Sequence, residues 1–486
     1  MLPADPSDRA LLAAVHPSDW QNPEPARRYD LVVLGGGTGG LVTAAIAAGL
    51  GARVALVERE RMGGDCLNVG CVPSKALINA ADVALAGGDI DFETAMTRLR
   101  QLRLRLSERD SAARFRELGV DVFLGHGAFV GRDAVEAAGA RLRFRRAVIA
   151  TGSRPVVPSI PGLTGVRYYT NETIFDLTER PARLAILGAG SIGCELGQAF
   201  ARLGSRVILL DQSPRVLANE DPEASALVAA ALQRDGVQLR LGVEVSSVEG
   251  NGATQRIRFR SADATQADVE ADAILVAAGR IGNVEELGLE AAGVRTRENR
   301  IVVDPRLRTS NRRIFAVGDV MSPTPYTHAA DAQARLVVAN ALFGGLGGGR
   351  HDRLVVPRCT YTRPEVAQVG ITSAASADGD VQTITVPLAE VDRAVLEGQT
   401  DGFLRVHLTR RGQILGATLV AAHAGEMISE ITLAMTAGLR LGQIGSTIHP
   451  YPTQAEVFRK AADQWQRERF TPGARRLMER YFKLFR

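Results

Sequence analysis

Two copies of one short pattern constrain this chain more than anything else in it. The apolar run Tyr29-Asp30-Leu31-Val32-Val33-Leu34 leads at once into Gly35-x-Gly37-x-x-Gly40 and a run of small residues; Leu184-Ala185-Ile186-Leu187 leads in the same way into Gly188-x-Gly190-x-x-Gly193. Three glycines at that spacing are a weak signal alone. Between a strand and a helix they let the backbone approach a pyrophosphate, which then rests on the helix N-terminus. Each copy is followed by a strand that runs into a carboxylate, Arg53 to Val57 before Glu58 and Arg206 to Leu210 before Asp211, placed to accept from an adenosine ribose. Two such units imply two dinucleotides, or one nucleotide and one flavin dinucleotide. Asp211 accepts from a free 2′-hydroxyl but repels a 2′-phosphate, which favours NADH; Arg206 and Arg215 nearby keep NADPH possible.

Just after the first unit stands Gly63-Gly64-Asp65-Cys66-Leu67-Asn68-Val69-Gly70-Cys71-Val72-Pro73-Ser74-Lys75. Pro73 suits the first turn of a helix, so Cys71 is expected at a helix start, where unpaired N–H groups and the dipole favour thiolate. Lys75 follows one turn later on the same face. Cys66 and Cys71 thus read as a pair able to cycle between disulfide and dithiol, against a structural disulfide or half of a zinc site. The other cysteines, Cys194 and Cys359, are distant singletons, which suits zinc poorly.

In its full wording this stretch resembles the redox-active segment of the flavoprotein pyridine nucleotide-disulfide oxidoreductases, which include mercuric reductase, dihydrolipoamide dehydrogenase and glutathione reductase. The resemblance extends from Tyr29 to about Ala462. It implies an α/β fold of two Rossmann-like dinucleotide-binding domains and a C-terminal α+β dimerisation domain, glutathione reductase-like. The expected boundaries are an N-terminal arm at 1–28, an FAD-binding domain at 29–155 resuming as a central part at 278–350, an NAD-binding domain at 156–277, and dimerisation at 351–486 with a basic tail. A glycine-rich break, Gly344 to Gly349, marks the last boundary.

The resemblance also assigns residues. FAD would lie on Gly35, Gly37, Gly40, Glu58, Gly64 and Lys75, then on Gly127-Ala128, Thr151-Gly152, Asp319 and the segment Pro325, Tyr326, Thr327, His328; NADH would lie on Gly188, Gly190, Gly193, Asp211 and Gly279. Cys71 takes the flavin-facing role and Cys66 the attack on the acceptor, with Lys75 and Glu195 as an ion pair near the reactive ring nitrogen. His126 alone reads as a structural histidine.

The chain departs from the pattern near its end, at His449-Pro450-Tyr451-Pro452-Thr453-Gln454-Ala455-Glu456. Disulfide-reducing relatives carry a histidine base where Tyr451 stands, oriented by a glutamate that Glu456 preserves and serving the other subunit's dithiol. Mercuric reductase has tyrosine there, so Tyr451 points to a metal ion or other electrophile as acceptor. No cysteine follows Cys359, however, so the vicinal pair that delivers Hg(II) is missing, and soft metals need thiolates. The runner-up is a lipoyl or other disulfide, with His449 as substitute base; a redox sensor or partner-binding flavoprotein is the alternative of another class. Asp65, where relatives have threonine, is expected to raise the Cys66 pKa by its charge.

Length and composition fit this scheme. A chain of 486 residues with 45% apolar content suggests roughly three domains. Net charge is +4, and no nucleic-acid partner is expected. The first 28 residues, polar and proline-rich, read as a mobile arm without a signal sequence. Gly39 to Ala52, the longest low-polarity run, is too short to span a bilayer. Four cysteines do not make a secreted disulfide scaffold, so a cytoplasmic protein without a bound metal is expected, and the resemblance implies a homodimer. The arginine-rich pattern from Phe92 to Leu118 reads as a solvated helix. The last 28 residues hold nine Lys/Arg against three Asp/Glu. Within them Leu477, Met478, Tyr481, Phe482 and Phe485 share a face opposite Arg475, Arg476, Glu479, Arg480, Lys483 and Arg486, suited to packing on the protein's own surface or to a partner or anionic membrane surface.

Overall fold

A computed structural model describes residues 5–250, 254–344, 346–373, 375 and 380–486. Residues 1–4 of the expected arm, and Gly345 of the glycine-rich break, lie outside the described residues. The chain forms two compact units, one of residues up to Pro214 with Asp235–Leu354, the other of Arg215–Arg234 with residues from Val355 onward.

The first unit is organised by strand Tyr29–Leu34, five of whose six residues are buried, as a strand covered on both faces requires. It pairs in parallel with Val54–Glu58 on one side and Ala140–Ile149 on the other, with Leu34 opposite both Val57 and Ile149. Val120–Leu124 extends the parallel sheet beyond Val54–Glu58, and Ile314–Ala316, from far along the chain, extends it beyond Ala140–Ile149. This register brings Gly35, Glu58, Ala150 and Val317-Gly318 to one edge, the carboxyl ends of the strands, where open α/β sheets bind ligands. A second parallel sheet has the order Gln238–Leu241, Arg206–Asp211, Arg183–Leu187, Ala273–Val276, Tyr168–Tyr169.

Two expectations about polar segments differ from what this unit shows. Helix Pro6–Val15, capped by the Asp5 carboxylate, buries Leu11 and Val15 completely in the first sheet's core, so this part of the arm is packed. Trp20 Nε1 then donates to the Val122 carbonyl (3.1 Å), and Asn22 brackets Leu124 through both its carbonyl and its N–H. The arginine-rich helix Phe92–Ser107 is likewise not wholly solvated. Arg103 is fully buried and meets Asp8 at 2.5 Å, while Arg100 meets the same carboxylate at 3.3 Å. Counter-charges from distant sequence make this burial tolerable, and charge spacing along one helix does not reveal them.

The second unit is a five-stranded antiparallel sheet in the order Arg358–Thr360, Glu365–Gly370, Ile414–Ala421, Phe403–Thr409, Val381–Pro387. Helix Glu456–Arg469 fills its core with Val457, Phe458, Ala461, Ala462 and Trp465. Helix Pro222–Arg234 belongs to this unit, where Asp221 and Glu223 meet the Arg405 guanidinium at 2.6 and 2.5 Å. The last helix, Pro472–Lys483, buries none of its residues. Packing on the protein's own surface is therefore not what the described residues show. No described helix is long and apolar enough to cross a membrane.

Candidate active site

Helix Cys71–Leu85 begins at Cys71, two residues before Pro73, with Gly70 as its N-cap. Cys71 therefore occupies the first helical position, and Pro73 sits in the first turn, where a missing N–H leaves no gap. The hydrogen bond from the Cys66 thiol is the largest influence on Cys71, and with Thr327 and Lys75 it outweighs burial and lowers the Cys71 pKa to about 6. Thr327 Oγ1 lies 3.4 Å from the Cys71 sulfur. Cys66 moves the opposite way, held above the ordinary thiol range by its bond to Cys71 and by burial. One sulfur is thus poised as thiolate at neutral pH and the other as thiol. One turn on, Lys75 Nζ meets Glu195 Oε2 at 2.7 Å, joining the redox helix to helix Ser191–Arg202 of the second dinucleotide unit.

Asp65 does not act on Cys66 as expected, because its carboxylate is turned to the Arg280 guanidinium. The influences that raise Cys66 are Cys71 and burial first, with Asp110 a lesser one. Burial pushes the Asp65 pKa up while Arg280 opposes it. Arg280 also donates to Ser153 Oγ at 2.8 Å and to Asn171 Oδ1 at 3.2 Å; Ser153 Oγ in turn donates to Asp319 Oδ2 at 2.7 Å. Beneath the same loop, Asn171 Nδ2 donates to the Val69 carbonyl and the buried Arg103 to the Asn68 carbonyl. Sequence reasoning missed Arg280, Ser153, Asn171 and Arg103; each lies far from the cysteines in the chain, and no local pattern marks them.

The residues expected to hold dinucleotides line the carboxyl edges of both sheets. Gly35 adopts φ +107°, and a Cβ there would strike the Ala150 carbonyl; a Cβ on Gly40 would strike the Gly35 carbonyl. Gly37 and Gly64 approach so closely that a Cβ on Gly64 would lie 2.6 Å from the Gly37 Cα. Only glycine allows that approach of loop to helix N-terminus, a cradle shaped for a pyrophosphate. Glu58 Oε2 accepts from Gly36 N at 2.5 Å at the rim. Thr151 and Asn283 exchange two hydrogen bonds beside Gly152, which closes that side of the sheet edge. Gly127 opens strand Gly127–Gly131 against Val57, with Ala128 next to it, and His126 Nε2 lies 3.1 Å from the Glu286 carbonyl, a structural contact. Near Cys71, the rings of Tyr326 and His328 stack at 5.5 Å just after Pro325. The second glycine turn, in the same compact unit, repeats the first: Gly188 and Gly193 stand where a Cβ would meet the Ala277 and Gly188 carbonyls, while Gly190 is open. Asp211 accepts from Ala189 N (2.5 Å) and Ser213 N (2.6 Å), and Gly279 reaches φ +117°. Arg206 is exposed, and Arg215 donates to the Ala218 carbonyl at 2.6 Å. The donor sets at both turns fit a dinucleotide.

In the second unit, Tyr451 is exposed and donates to Asp392 Oδ2 at 2.9 Å, a bond that raises the phenol above the ordinary tyrosine range. His449 is fixed from both sides, Nε2 at 2.9 Å from Glu430 Oε1 and Nδ1 at 3.1 Å from the Thr447 carbonyl. Glu456 meets Arg459 at 2.6 Å through one oxygen, while its buried Oε2 has no hydrogen-bond partner among the described residues.

Residues 29–334 match the family described as pyridine nucleotide-disulphide oxidoreductase, and 356–462 match its dimerisation domain. The chain belongs to the pyridine nucleotide-disulphide oxidoreductases, FAD-dependent enzymes that use NAD(P)H. It is 35% identical over 450 residues to mercuric reductase of Lysinibacillus sphaericus, covering 89% of this chain and 82% of that one. A dihydrolipoyl dehydrogenase of Bacillus subtilis is 33% identical over 460 residues, covering 89% and 96%. Among solved structures, the Cu(II) complex of the HOCl-induced flavoprotein disulfide reductase RclA from Escherichia coli superposes with a TM-score of 0.81 at 29% identity, over 88% of this chain and 98% of that one. The dimerisation domain supports a homodimer. Helices Pro6–Val15 and Pro472–Lys483 both lie outside the matched residues.

Proposed function

We propose that this enzyme draws two electrons from NADH, stores them in the Cys66–Cys71 dithiol, and delivers them to a metal ion or other non-disulfide electrophile. FAD, when bound, supplies the two-electron relay between nucleotide and sulfur. The chain's own residues do the rest. Reduction opens the Cys66–Cys71 bond, leaving the proton on Cys66, whose pKa is raised, and the negative charge on Cys71, whose pKa is lowered. Lys75 steadies that charge one turn along the helix, and Glu195 holds Lys75. Re-forming the S–S bond returns two electrons, to one two-electron acceptor or to two one-electron ions.

The state of Tyr451 carries the choice of acceptor. Reducing a disulfide requires a group that takes and returns a proton near neutral pH. Tyr451 is held above an already high phenol range by Asp392, and it donates. Both ring nitrogens of His449 are already engaged by oxygens of its own unit, the Glu430 carboxylate and the Thr447 carbonyl. A phenol needs no titration to contact a metal ion or an electrophile's oxygen. The mercuric reductase relative and the Cu(II)-bound reductase support the same class. The absence of cysteine after Cys359 favours ions that bind without a vicinal delivery pair, Cu(II) before Hg(II).

In nucleotide choice, NADH fits better than NADPH because Asp211 is held at the strand end by two backbone N–H groups and Arg215 is engaged elsewhere. The test is an acceptor panel on the FAD-loaded enzyme with each nucleotide: Cu(II), Hg(II), lipoamide and glutathione disulfide. Cu(II)-dependent NADH oxidation well above the disulfide rates supports the reading. Fast lipoamide turnover with negligible metal-dependent activity contradicts it.

A further inference from the structure

Beyond the family's matched residues, the chain ends in a helix with no partner among the described residues. Thr471 caps helix Pro472–Lys483 by accepting from Ala474 N at 3.2 Å, and Pro472 opens it sharply. Leu477, Tyr481, Phe482, Leu484 and Phe485 are each more than half exposed. At 100° per residue Leu477, Met478, Tyr481 and Phe482 fall on one side of the helix and Arg475, Arg476, Arg480 and Lys483 on the other with a single acid, Glu479; continuing that spacing past Lys483 adds Leu484 and Phe485 to the first side and Arg486 to the second. A merely solvated face usually mixes both signs; here the one ion pair within the helix is Arg475–Glu479 at 3.3 Å. The tail's nine Lys/Arg and three Asp/Glu exceed the whole chain's surplus of +4, so the body before Arg459 carries a small negative net charge. The cations are thus concentrated where the aromatic face is.

We propose that helix Pro472–Lys483 docks the enzyme on an anionic lipid surface, with its aromatic face at the headgroup boundary and its cations on the lipid phosphates. A helix with an apolar aromatic face, a basic polar face and low mean hydropathy lies in the plane of an interface. Five cations near an anionic surface reinforce the apolar contact, and each is screened within a Debye length. This site is separate from the redox chemistry, so its success or failure leaves the acceptor assignment untouched.

The test is co-sedimentation of the full-length FAD-loaded enzyme with phosphatidylcholine vesicles, with or without about one-third phosphatidylglycerol. Partition onto the anionic vesicles is expected to be at least ~10-fold greater, and to fall with added salt. Phe482→Asp with Phe485→Asp, and separately Arg475→Gln with Arg476→Gln and Arg480→Gln, should each remove most of that binding while NADH oxidation in solution is unchanged. These positions are exposed, so folding is preserved, and retained flavin confirms it. Equal partition onto both vesicle types, or none onto either, overturns the proposal. So does a shift from dimer to monomer in sedimentation velocity of the Phe482/Phe485 variant, which would mean that a second copy covers the face.

Discussion

The Cys66–Lys75 segment and the His449–Glu456 segment place their titratable groups in opposite circumstances. Around the cysteines nearly every charge is matched inside the protein: Asp65 with Arg280, Lys75 with Glu195, Asp8 with Arg100 and Arg103. The two sulfurs are driven apart in pKa by the bond between them. In the later segment Tyr451 is exposed, and Glu456 keeps a buried oxygen without a partner among the described residues. On the proposed reading, electron storage sits in a network of matched charges, whereas the acceptor side rests on one exposed phenol. A single residue change there should alter the substrate without disturbing electron storage.

Removing the thiolate should break the first region outright. Cys71→Ser is expected to reduce acceptor-dependent turnover by at least ~1,000-fold in steady-state assays while flavin binding persists. Retained turnover would mean that the acceptor takes electrons without the dithiol. Next in size is the support under the loop. Asp8→Ala strips the counter-charge from the fully buried Arg103, which holds the Asn68 carbonyl, and should cost about 3–5 kcal/mol in denaturant unfolding. A loss below ~1 kcal/mol would show that helix Pro6–Val15 is peripheral to the redox segment.

The acceptor side should respond more gently and in the opposite sense. Tyr451→His is expected to raise lipoamide turnover by at least ~10-fold, with the unpartnered Glu456 oxygen available to receive an imidazole N–H. No gain would place the acceptor's determinants elsewhere. His449→Ala should change metal-dependent turnover by less than about 3-fold, since both ring nitrogens are occupied within its own unit. Its loss should not lower lipoamide turnover either; if it did, His449 would be the working base and the disulfide reading would be promoted.

What the sequence made legible follows the range of the interactions concerned. The glycine turns and the helix start at Cys71 are written in consecutive residues, so each can be placed from local pattern. The Lys75–Glu195 contact was available only through family resemblance, since nothing in either residue's neighbourhood points to the other. No local pattern marks Arg280, yet it ties Asp65 to Ser153 and, through it, to Asp319; Arg103 falls in a stretch that reads as a solvated helix and is buried. Both depend on partners brought near only by the parallel sheet and its crossovers. The two termini show the same limit, because composition does not tell helix Pro6–Val15, packed through Leu11 and Val15, from the exposed helix Pro472–Lys483.

The most direct test is a pH titration of the long-wavelength thiolate-to-flavin charge-transfer band in the two-electron-reduced enzyme. Because the Cys71 pKa is depressed, its thiolate should persist above about pH 6 and disappear as the pH falls through that value. In Cys66→Ala the midpoint should rise, since the hydrogen bond that does most to lower it is gone. A midpoint near the free thiol value of ~8.5, or a band that survives in Cys71→Ser, would contradict the assignment of Cys71 as the stored thiolate.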